Sequence, residues 1–384
     1  MPLHFAKSEF AERRISACKL MQHEGLDGLL MFRQESMYYL TGYDTFGFVF
    51  FQCLYLSADG TTRTLLTRAP DRLQAELTSD IEDVRIWRDR DGANPALELR
   101  AILAEHGCKG QRLGVEYEAY GLTAANGKRL EAALEGFCTL TDASLLVSRL
   151  RLIKSPAEIA CVRRAAALAD DAYDAAIALV RPGAFDGEIS AAMHAAVLRG
   201  DGDEPANPFI VGSGPVALLC RYASGRRHLA ANDQLTLEWA GSYRHYHAAM
   251  MRTLVVGKPP ARQVAMQTVA LEALSACEEQ LHPGQTAGSV FDAHARVCDA
   301  AGMQDLRMNA CGYGLGATFA PNWMDWPMLY TNNPVVLQPG MVFFMHMILF
   351  DASAGVAVTV ARTYLVTAAG NQPLSRAPFD LQVA

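Results

Sequence analysis

Apolar and polar positions alternate with two different periods along the first 150 residues, which predicts interleaved helices and strands. Residues 9–24 carry apolar side chains at helical spacing, whereas residues 26–32 form a short apolar run typical of a buried strand. Helical and strand-like segments continue to alternate through residues 96–134. The pattern therefore predicts an α/β layer architecture for this part of the chain.

Residues 46–56 are rich in aromatic side chains and predict a further strand. A turn at residues 58–62 and a returning strand at residues 63–67 complete a predicted hairpin. So many aromatic side chains would be unusual on an exposed edge. We therefore expect this strand to lie inside the sheet.

The pair Ser155-Pro156, followed by Glu158, predicts the start of a long helix. Serine caps a helix, proline fits its first position, and an acid suits its first turn. This start marks a junction between two domains. We predict an N-terminal α/β domain over residues 1–150 and a C-terminal domain over residues 151–384.

The C-terminal domain combines helical segments with a central hairpin at residues 235–253. The chain then closes with two apolar strands, at residues 341–350 and 356–366. We therefore predict an α+β domain with a strongly bent antiparallel sheet.

A single acid, Glu238, interrupts an apolar strand of that hairpin. Its apolar neighbours alternate with it at the period of two expected of a strand with distinct faces. Burying an ionised carboxylate without a partner is costly. Glu238 is therefore either paired, with nearby Arg252 as the obvious partner, or it takes part in chemistry.

Composition narrows the class of protein. The 384 residues are 51% hydrophobic and 20% charged, and the net charge of −7 argues against a nucleic-acid surface and for a small-molecule or protein partner. The nine cysteines include no close Cys-x-x-Cys pair, which favours reduced thiols and a cytoplasmic location. Neither a signal peptide nor an apolar run of the roughly 20 residues that span a membrane is predicted.

Motifs along nearly the whole chain resemble the pita-bread metallopeptidases and their creatinase-type relatives. They lie at residues 25–30, 39–43, 153–159, 238–253, 312–316, 337–342 and 363–367. The resemblance implies an N-terminal α/β domain of the creatinase amino-terminal type. It also implies a C-terminal α+β catalytic domain with the pita-bread fold.

The resemblance further implies five metal-ligand positions, which carry different residues in this chain. Glu238, Ala249, Tyr313, His346 and Ala361 stand where the peptidases have two aspartates, a histidine and two glutamates. Two divalent ions need several anionic oxygens, which these residues do not supply. We expect a metal-free enzyme without a cofactor, or a decayed peptidase kept as a binding protein. The glycines and packing positions around the site are intact, which favours the enzyme.

A narrower resemblance is to the ectoine hydrolases, a metal-free branch that opens the cyclic amidine of ectoine to N-acetyl-2,4-diaminobutyrate. It is carried by residues 224–229, 235–241, 246–253, 309–316, 323–327 and 342–347. It implies hydrolysis of ectoine, with 5-hydroxyectoine as a related candidate. The alternatives are creatine amidinohydrolase activity, Xaa-Pro dipeptidase activity, and binding of a small molecule without turnover.

The same resemblance suggests catalytic roles for four residues. Glu238 would attack the amidinium carbon as a nucleophile or activate water as a general base. His346 would orient Glu238 or pass a proton, and Tyr313 would donate a hydrogen bond to developing charge. His228 aligns approximately with the proton-transferring histidine of creatinase, although an isolated histidine is as often structural.

Substrate contacts are expected from two further groups. Arg226 or Arg227 would hold the substrate carboxylate, although adjacent arginines are as often a solvated surface feature. Trp323 and Trp326 flank Asp325 and would offer aromatic faces to a planar cation, or else belong to the core.

The resemblance also implies a homodimer. Tyr43 and Phe46 lie where creatinase-type dimers reach into the active site of the partner subunit. A downstream deacetylase is a further candidate partner, which the sequence leaves open.

Overall fold

The structure is a computed structural model that describes residues 3–221 and 226–381. The chain divides into two compact units, Met1–Arg151 and Leu152–Ala384. No helix within the described ranges is long and apolar enough to cross a membrane.

The N-terminal unit is a mixed six-stranded sheet with helices. Its helices are α1 (Lys7–His23), α2 (Gln34–Thr41), α3 (Arg72–Thr78), α4 (Pro95–Glu105), α5 (Ala124–Leu134) and α6 (Leu146–Arg151). Its strands are β1 (Gly28–Met31), β2 (Cys53–Ser57), β3 (Arg63–Arg68), β4 (Asp83–Trp87), β5 (Arg112–Val115) and β6 (Thr139–Asp142). The strand order is β4-β3-β2-β1-β5-β6, with β1 antiparallel to β2 and parallel to β5.

Strand β1 is buried on both faces, as its continuous apolar run predicts. Leu30 packs into a cluster that includes side chains of α4 and α5, whereas Leu29 and Met31 pack into a second cluster with α1 and α2. Successive side chains of a strand point to opposite faces. The predicted α/β layer architecture is therefore confirmed.

The strand predicted over residues 46–56 is wrong in its first half. Gly47–Val49 forms a short 3-10 helix, and β2 begins only at Cys53. The Thr45 hydroxyl donates to the Asp71 carboxylate and accepts the N–H of Gly47, so local polar contacts turn the chain here. Phe46 is 76% exposed, which is the opposite of the burial predicted for this segment.

The C-terminal unit is built on one antiparallel sheet. Its helices are α7 (Pro156–Ile177), α8 (Asp186–Arg199), α9 (Ala261–Gln280) and α10 (Ala287–Ala300). Its strands are β7 (Ile210–Ser213), β8 (Asp233–Tyr243), β9 (Tyr246–Val256), β10 (Gly312–Gly314), β11 (Asp325–Met328), β12 (Val342–Asp351), β13 (Val356–Thr367) and β14 (Gly370–Pro373). The strand order is β11-β10-β12-β13-β9-β8-β7, and β14 pairs with β13.

Helix α7 begins at the predicted junction and packs on the hairpin β8–β9. Ser155 caps it in a capping box with Glu158. The indole Nε1 of Trp239 donates to the carbonyl of Ala169 across 2.8 Å, which anchors one face of β8 to this helix. A Cβ at Gly241 would lie 1.9 Å from the carbonyl oxygen of Ala165, so only glycine allows this close approach.

The hairpin itself is confirmed, with a tighter turn than the sequence suggested. Arg244 and His245 have φ angles of 51° and 64°, and they form the whole connection between the strands. Two-residue turns with positive φ match the twist of paired strands. Because Trp239 faces α7, its neighbour Glu238 must face the other side of the sheet.

Candidate active site

A row of side chains crosses five strands of the C-terminal sheet and includes Glu238. In strand order its members are Ile210, Glu238, Met251, Ala361 and His346. Directly opposed residues of antiparallel strands point to the same face. Glu238 and His346 are therefore the two polar side chains in an otherwise apolar row.

A cavity of about 130 Å³ lies at the Glu238 end of this row. Its wall combines one acid, Glu238, one cation, Arg221, and the aromatic rings of Tyr313 and Trp323. Backbone elements from distant parts of the chain bring these groups together, because β8, β10 and the loop before β11 all reach this point. The cavity is compact, and its wall combines a few polar groups with apolar side chains, which is usual for a small-molecule site.

The Glu238 carboxylate has neither a hydrogen-bond nor an ion-pair partner among the described residues. Burial raises its pKa to about 7, and the positive charge of Arg221 opposes this shift. Pairing with Arg252, the simplest structural explanation, does not occur. The guanidinium of Arg252 is instead bonded to the carbonyls of Met251, Ala361, Ala377 and Pro378. Glu238 is thus a carboxylate poised to change protonation near neutral pH.

Tyr313 and Trp323 form a hydrogen-bonded pair in the cavity wall. The indole Nε1–H of Trp323 donates to the hydroxyl oxygen of Tyr313 across 2.9 Å. Burial raises the pKa of Tyr313, and the nearby charge of Glu238 raises it further, so the phenol stays protonated. Because its oxygen already accepts the indole proton, the phenol can donate its own proton into the cavity.

His346 lies next to Tyr313 but is not part of the cavity wall. The two ring centroids are 5.7 Å apart, and the buried Nδ1 of His346 has no hydrogen-bond partner among the described residues. Burial lowers the pKa of His346 to about 3. The imidazole is therefore neutral at physiological pH, and burial disfavours its protonation, which argues against the proton-transfer role expected of it.

The five former metal-ligand positions converge in the structure, but their side chains do not form a metal site. Ala249 and Ala361 contribute methyl groups, and Tyr313 contributes a protonated phenol. Within residues 3–221 and 226–381, no group of three or more histidine, cysteine, aspartate or glutamate side chains is arranged to hold a metal ion. The remaining donors, Glu238 and His346, do not fit a pair of divalent ions.

Arg221, the arginine that lines the cavity, was not predicted from the sequence. Arg227 donates to the Ser213 hydroxyl at 3.0 Å and pairs with Asp233 at 3.2 Å, so structural contacts occupy it. Arg226 is exposed and does not line the cavity. Arg221 lines it instead, and no sequence motif singled this residue out.

Ser224 and Gly225, which begin the motif at residues 224–229, lie outside the described residues. His228, in the same motif, is exposed and packs on the ring of Phe185, with 5.2 Å between centroids. It is not among the residues of the cavity wall. The structure therefore does not bring His228 together with Glu238.

His247, a neighbour in the hairpin, positions a cavity wall. Its Nε2 accepts the backbone N–H of Ala206 at 3.0 Å, and its Nδ1 lies 3.0 Å from the Thr318 hydroxyl. Ala206 precedes Asn207 and Pro208, which line the cavity. Burial lowers the pKa of His247 to about 3, which keeps the acceptor nitrogen unprotonated.

The two tryptophans have different environments. Trp323 lines the cavity, whereas Trp326 packs against the apolar cluster between the sheet and helices α9 and α10. Asp325 lies beside Gly316, where an added Cβ would be 3.0 Å from its Oδ2, and is not part of the cavity wall. Of this trio only Trp323 can contact a ligand in the cavity.

Tyr43 and Phe46 belong to the N-terminal unit and also differ from each other. Tyr43 is fully buried within its own unit, and its hydroxyl donates to Gln52 at 3.3 Å. This burial does not favour the expected contact of Tyr43 with a partner subunit, which stays a prediction. Phe46 is exposed and remains available for such a contact.

A creatinase-type α/β unit joined to an antiparallel sheet with an acid-bearing hairpin defines the pita-bread class of hydrolases. The chain belongs to metallopeptidase family M24, whose model matches residues 160–368. The creatinase/prolidase N-terminal domain model matches residues 13–153. The predicted family and fold are confirmed.

Relatives within the family differ in function. An uncharacterized hydrolase/peptidase, y4tM, of Sinorhizobium fredii is 29% identical and covers 99% of both chains. The ectoine hydrolase of Halomonas elongata is 26% identical over 99% of this chain and 98% of its own. A prolidase structure from Thermococcus sibiricus shares the fold, with a TM-score of 0.87 at 20% identity, covering 98% of this chain and 100% of that one.

Proposed function

We propose that this protein is a metal-independent hydrolase that opens the cyclic amidine ring of ectoine, or of 5-hydroxyectoine, to the N-acetylated diamino acid. The observation that carries the proposal is the Glu238 carboxylate, which has no hydrogen-bond or ion-pair partner among the described residues and lines a small cavity where they offer no cluster of metal-binding side chains. The similarity to an ectoine hydrolase supports the choice of substrate.

The cavity suits a small planar cation. Its volume of about 130 Å³ is well below the roughly 300–1,000 Å³ of pockets for larger ligands, which favours a compact ring over a peptide. An amidinium beside Glu238 would supply the positive charge that the carboxylate lacks in the free protein. The ring faces of Tyr313 and Trp323 would attract the delocalised cation.

A general-base route follows from the acidity of Glu238. Its pKa of about 7 lets the carboxylate accept a proton from water as that water adds to the amidinium carbon. The resulting carboxylic acid can return the proton to the ring nitrogen as the C–N bond breaks. One group then acts first as base and then as acid, and the net reaction consumes one water.

A covalent route uses the same residue differently. Here a Glu238 oxygen bonds to the amidinium carbon as the C=N π bond opens onto nitrogen, and the ring C–N bond then breaks. Water adds to the same carbon and the Glu238–carbon bond breaks, which leaves the amide carbonyl and the free carboxylate, with both water protons on the released amine. In both routes the Tyr313 hydroxyl would stabilise the tetrahedral centre by donating its proton in a hydrogen bond. His346 would support Tyr313 only through ring packing, because burial lowers the pKa of the imidazole to about 3 and keeps it unprotonated.

The exposed apolar residues of the N-terminal unit support a homodimer. Phe46, Val49 and Phe50 are exposed on one short segment, and such groups of large apolar side chains often mark interaction sites. Light scattering should give twice the chain mass of 41.8 kDa, and Phe46→Ser should lower it. A monomer that is fully active would contradict this part of the proposal.

The proposed function can be tested by measuring turnover with purified protein whose metal content is known. Ectoine, 5-hydroxyectoine, creatine and an Xaa-Pro dipeptide are incubated separately, and products are followed by mass spectrometry. The expected result is a product heavier than ectoine by one water, formed in the presence of a chelator. Cleavage of the dipeptide or of creatine with ectoine unchanged would overturn the proposal, and binding of ectoine without turnover would indicate a binding protein.

A further inference from the structure

We infer that Arg221 binds the carboxylate of the substrate, so that the cavity selects zwitterions in which an anion and a planar cation are held on one small ring. This inference rests on the proposed function and extends it, because it states which substrates the same site accepts and which it rejects.

The geometry of the free protein supports this role. Arg221 and Glu238 line the same cavity. Neither side chain makes a hydrogen bond or an ion pair with any other described residue, and they do not pair with each other. A guanidinium presents five N–H donors in a planar fork that matches a carboxylate. Within the described residues, the cavity wall therefore carries one cation and one anion that form no ion pair with each other, although the charge of Arg221 still acts on Glu238.

The neighbouring arginine gives a contrast within the same segment. Arg227 holds the backbone around it through Ser213 and Asp233, and its backbone N–H donates to Asp186 at 3.0 Å. Its donors are committed to the fold. Among the residues that the structure describes, Arg221 makes no such contact, so its guanidinium is available to a ligand in the cavity that it lines.

Charge balance explains why a zwitterion is preferred. With Glu238 ionised, the pair carries no net charge, and a ligand with both charges keeps the occupied cavity neutral. A purely cationic ring would place two cations beside one carboxylate, and like charges in a partly buried site repel strongly. A purely anionic ligand would leave the Glu238 charge without a partner.

The experiment compares two substrates and three variants. Ectoine is set against 2-methyl-1,4,5,6-tetrahydropyrimidine, the same ring without the carboxylate, and binding and turnover are measured for each. The variants are Arg221→Gln, Arg221→Lys and, as a matched control, Arg226→Gln, which removes an exposed arginine outside the cavity wall.

Arg221→Gln should weaken ectoine binding by about 10-fold, the loss expected when a charge-assisted hydrogen bond from a side chain that is exposed in the free protein is removed. It should leave the carboxylate-free ring unaffected or better bound. Arg221→Lys should lie between, because it keeps the charge but not the fork. Arg226→Gln should behave as wild type with both compounds.

The outcomes separate the two proposals. If ectoine binds but is not turned over, the proposed reaction fails, and the role of Arg221 stands if Arg221→Gln loses that binding selectively. If Arg221→Gln binds ectoine as tightly as wild type does, or if its affinity for both compounds falls equally, Arg221 does not bind the substrate carboxylate. If wild-type protein does not bind ectoine, both proposals are overturned.

Discussion

The indole of Trp323 donates its Nε1–H to the hydroxyl oxygen of Tyr313 across 2.9 Å, and this bond sets the direction of the phenol proton. Because one lone pair of the Tyr313 oxygen accepts this bond, the O–H can point toward the cavity that both side chains line. Tyr313 stands where the family resemblance expects a metal-binding histidine. In the proposed mechanism its O–H donates a hydrogen bond that stabilises negative charge developing on the substrate.

Tyr313→Phe should therefore lower kcat by about 10²–10³-fold, the usual loss when one such donor is removed. The buried indole N–H would also lose its acceptor, at a cost of about 1–3 kcal/mol in the free energy of unfolding. Trp323→Phe is the matched control, because it keeps the phenol but not its orientation. Its kcat should fall less. Steady-state kinetics and chemical denaturation measure both effects, and equal activity of Tyr313→Phe and wild type would remove Tyr313 from the mechanism.

Glu238→Gln should lower turnover of ectoine by at least about 10³-fold, because the amide neither accepts a proton nor forms a covalent adduct. Turnover at saturating substrate is the decisive quantity, since loss of the counter-ion also weakens binding. Mass spectrometry of wild-type protein quenched during turnover distinguishes the routes. An adduct on the peptide containing Glu238 indicates the nucleophile, and rate loss without an adduct indicates the base. Near-normal turnover by Glu238→Gln would defeat both routes.

The raised pKa of Glu238 predicts two opposite pH dependences. In the free enzyme kcat/KM should rise as pH increases through about 7, because the ionised carboxylate is the active form. The free energy of unfolding should instead fall as pH increases. A pKa above the unfolded value means that stability is fully present at low pH and is lost as pH rises through about 7.

Wild type should therefore lose roughly 2 kcal/mol relative to Glu238→Gln between pH 5 and pH 8. Denaturant titrations of both proteins at each pH measure this difference. A constant difference would show that Glu238 is not desolvated. Arg221→Gln should move the kcat/KM midpoint upward, because the charge of Arg221 lowers the pKa of Glu238.

His247 predicts acid sensitivity of the cavity wall. Its pKa falls to about 3 on burial, so the stability that its neutral ring provides is present above the unfolded pKa and is lost as pH falls. The stability advantage of wild type over His247→Gln should shrink by about 2 kcal/mol between pH 7 and pH 5. Exposed His228 provides the control, and His228→Gln should show little such change. If the stability difference between wild type and His247→Gln does not change with pH, the role assigned to the acceptor nitrogen of His247 is wrong.

Metal removal should leave activity intact. Glu238 and His346 are the metal-binding side chains left at the five former ligand positions, and together they do not provide a site for two divalent ions. We expect elemental analysis to find no stoichiometric divalent metal and ectoine turnover to survive dialysis against a chelator. One or two tightly held ions per chain, with activity lost on their removal and restored by their return, would refute metal independence.

The local features of this protein could be predicted from its sequence because short-range physics determines them. The period of two around Glu238 predicted a strand with distinct faces, and β8 has Trp239 on the helix side, as that pattern requires. The Ser155-Pro156-Glu158 motif predicted the start of α7, because capping depends on neighbouring residues alone. Motif spacing likewise predicted the family.

Only the tertiary structure decided which side chains are free to act. Arg227 lies in a predicted motif and Arg221 does not, but contacts with distant Ser213 and Asp233 occupy Arg227, whereas Arg221 lines the cavity. Tyr43 looked like a contact for a partner chain and is buried within its own unit. Residue type and spacing set the faces of strands and the starts of helices. Availability depends on what packs against a side chain from elsewhere in the chain, and no local pattern contains that information.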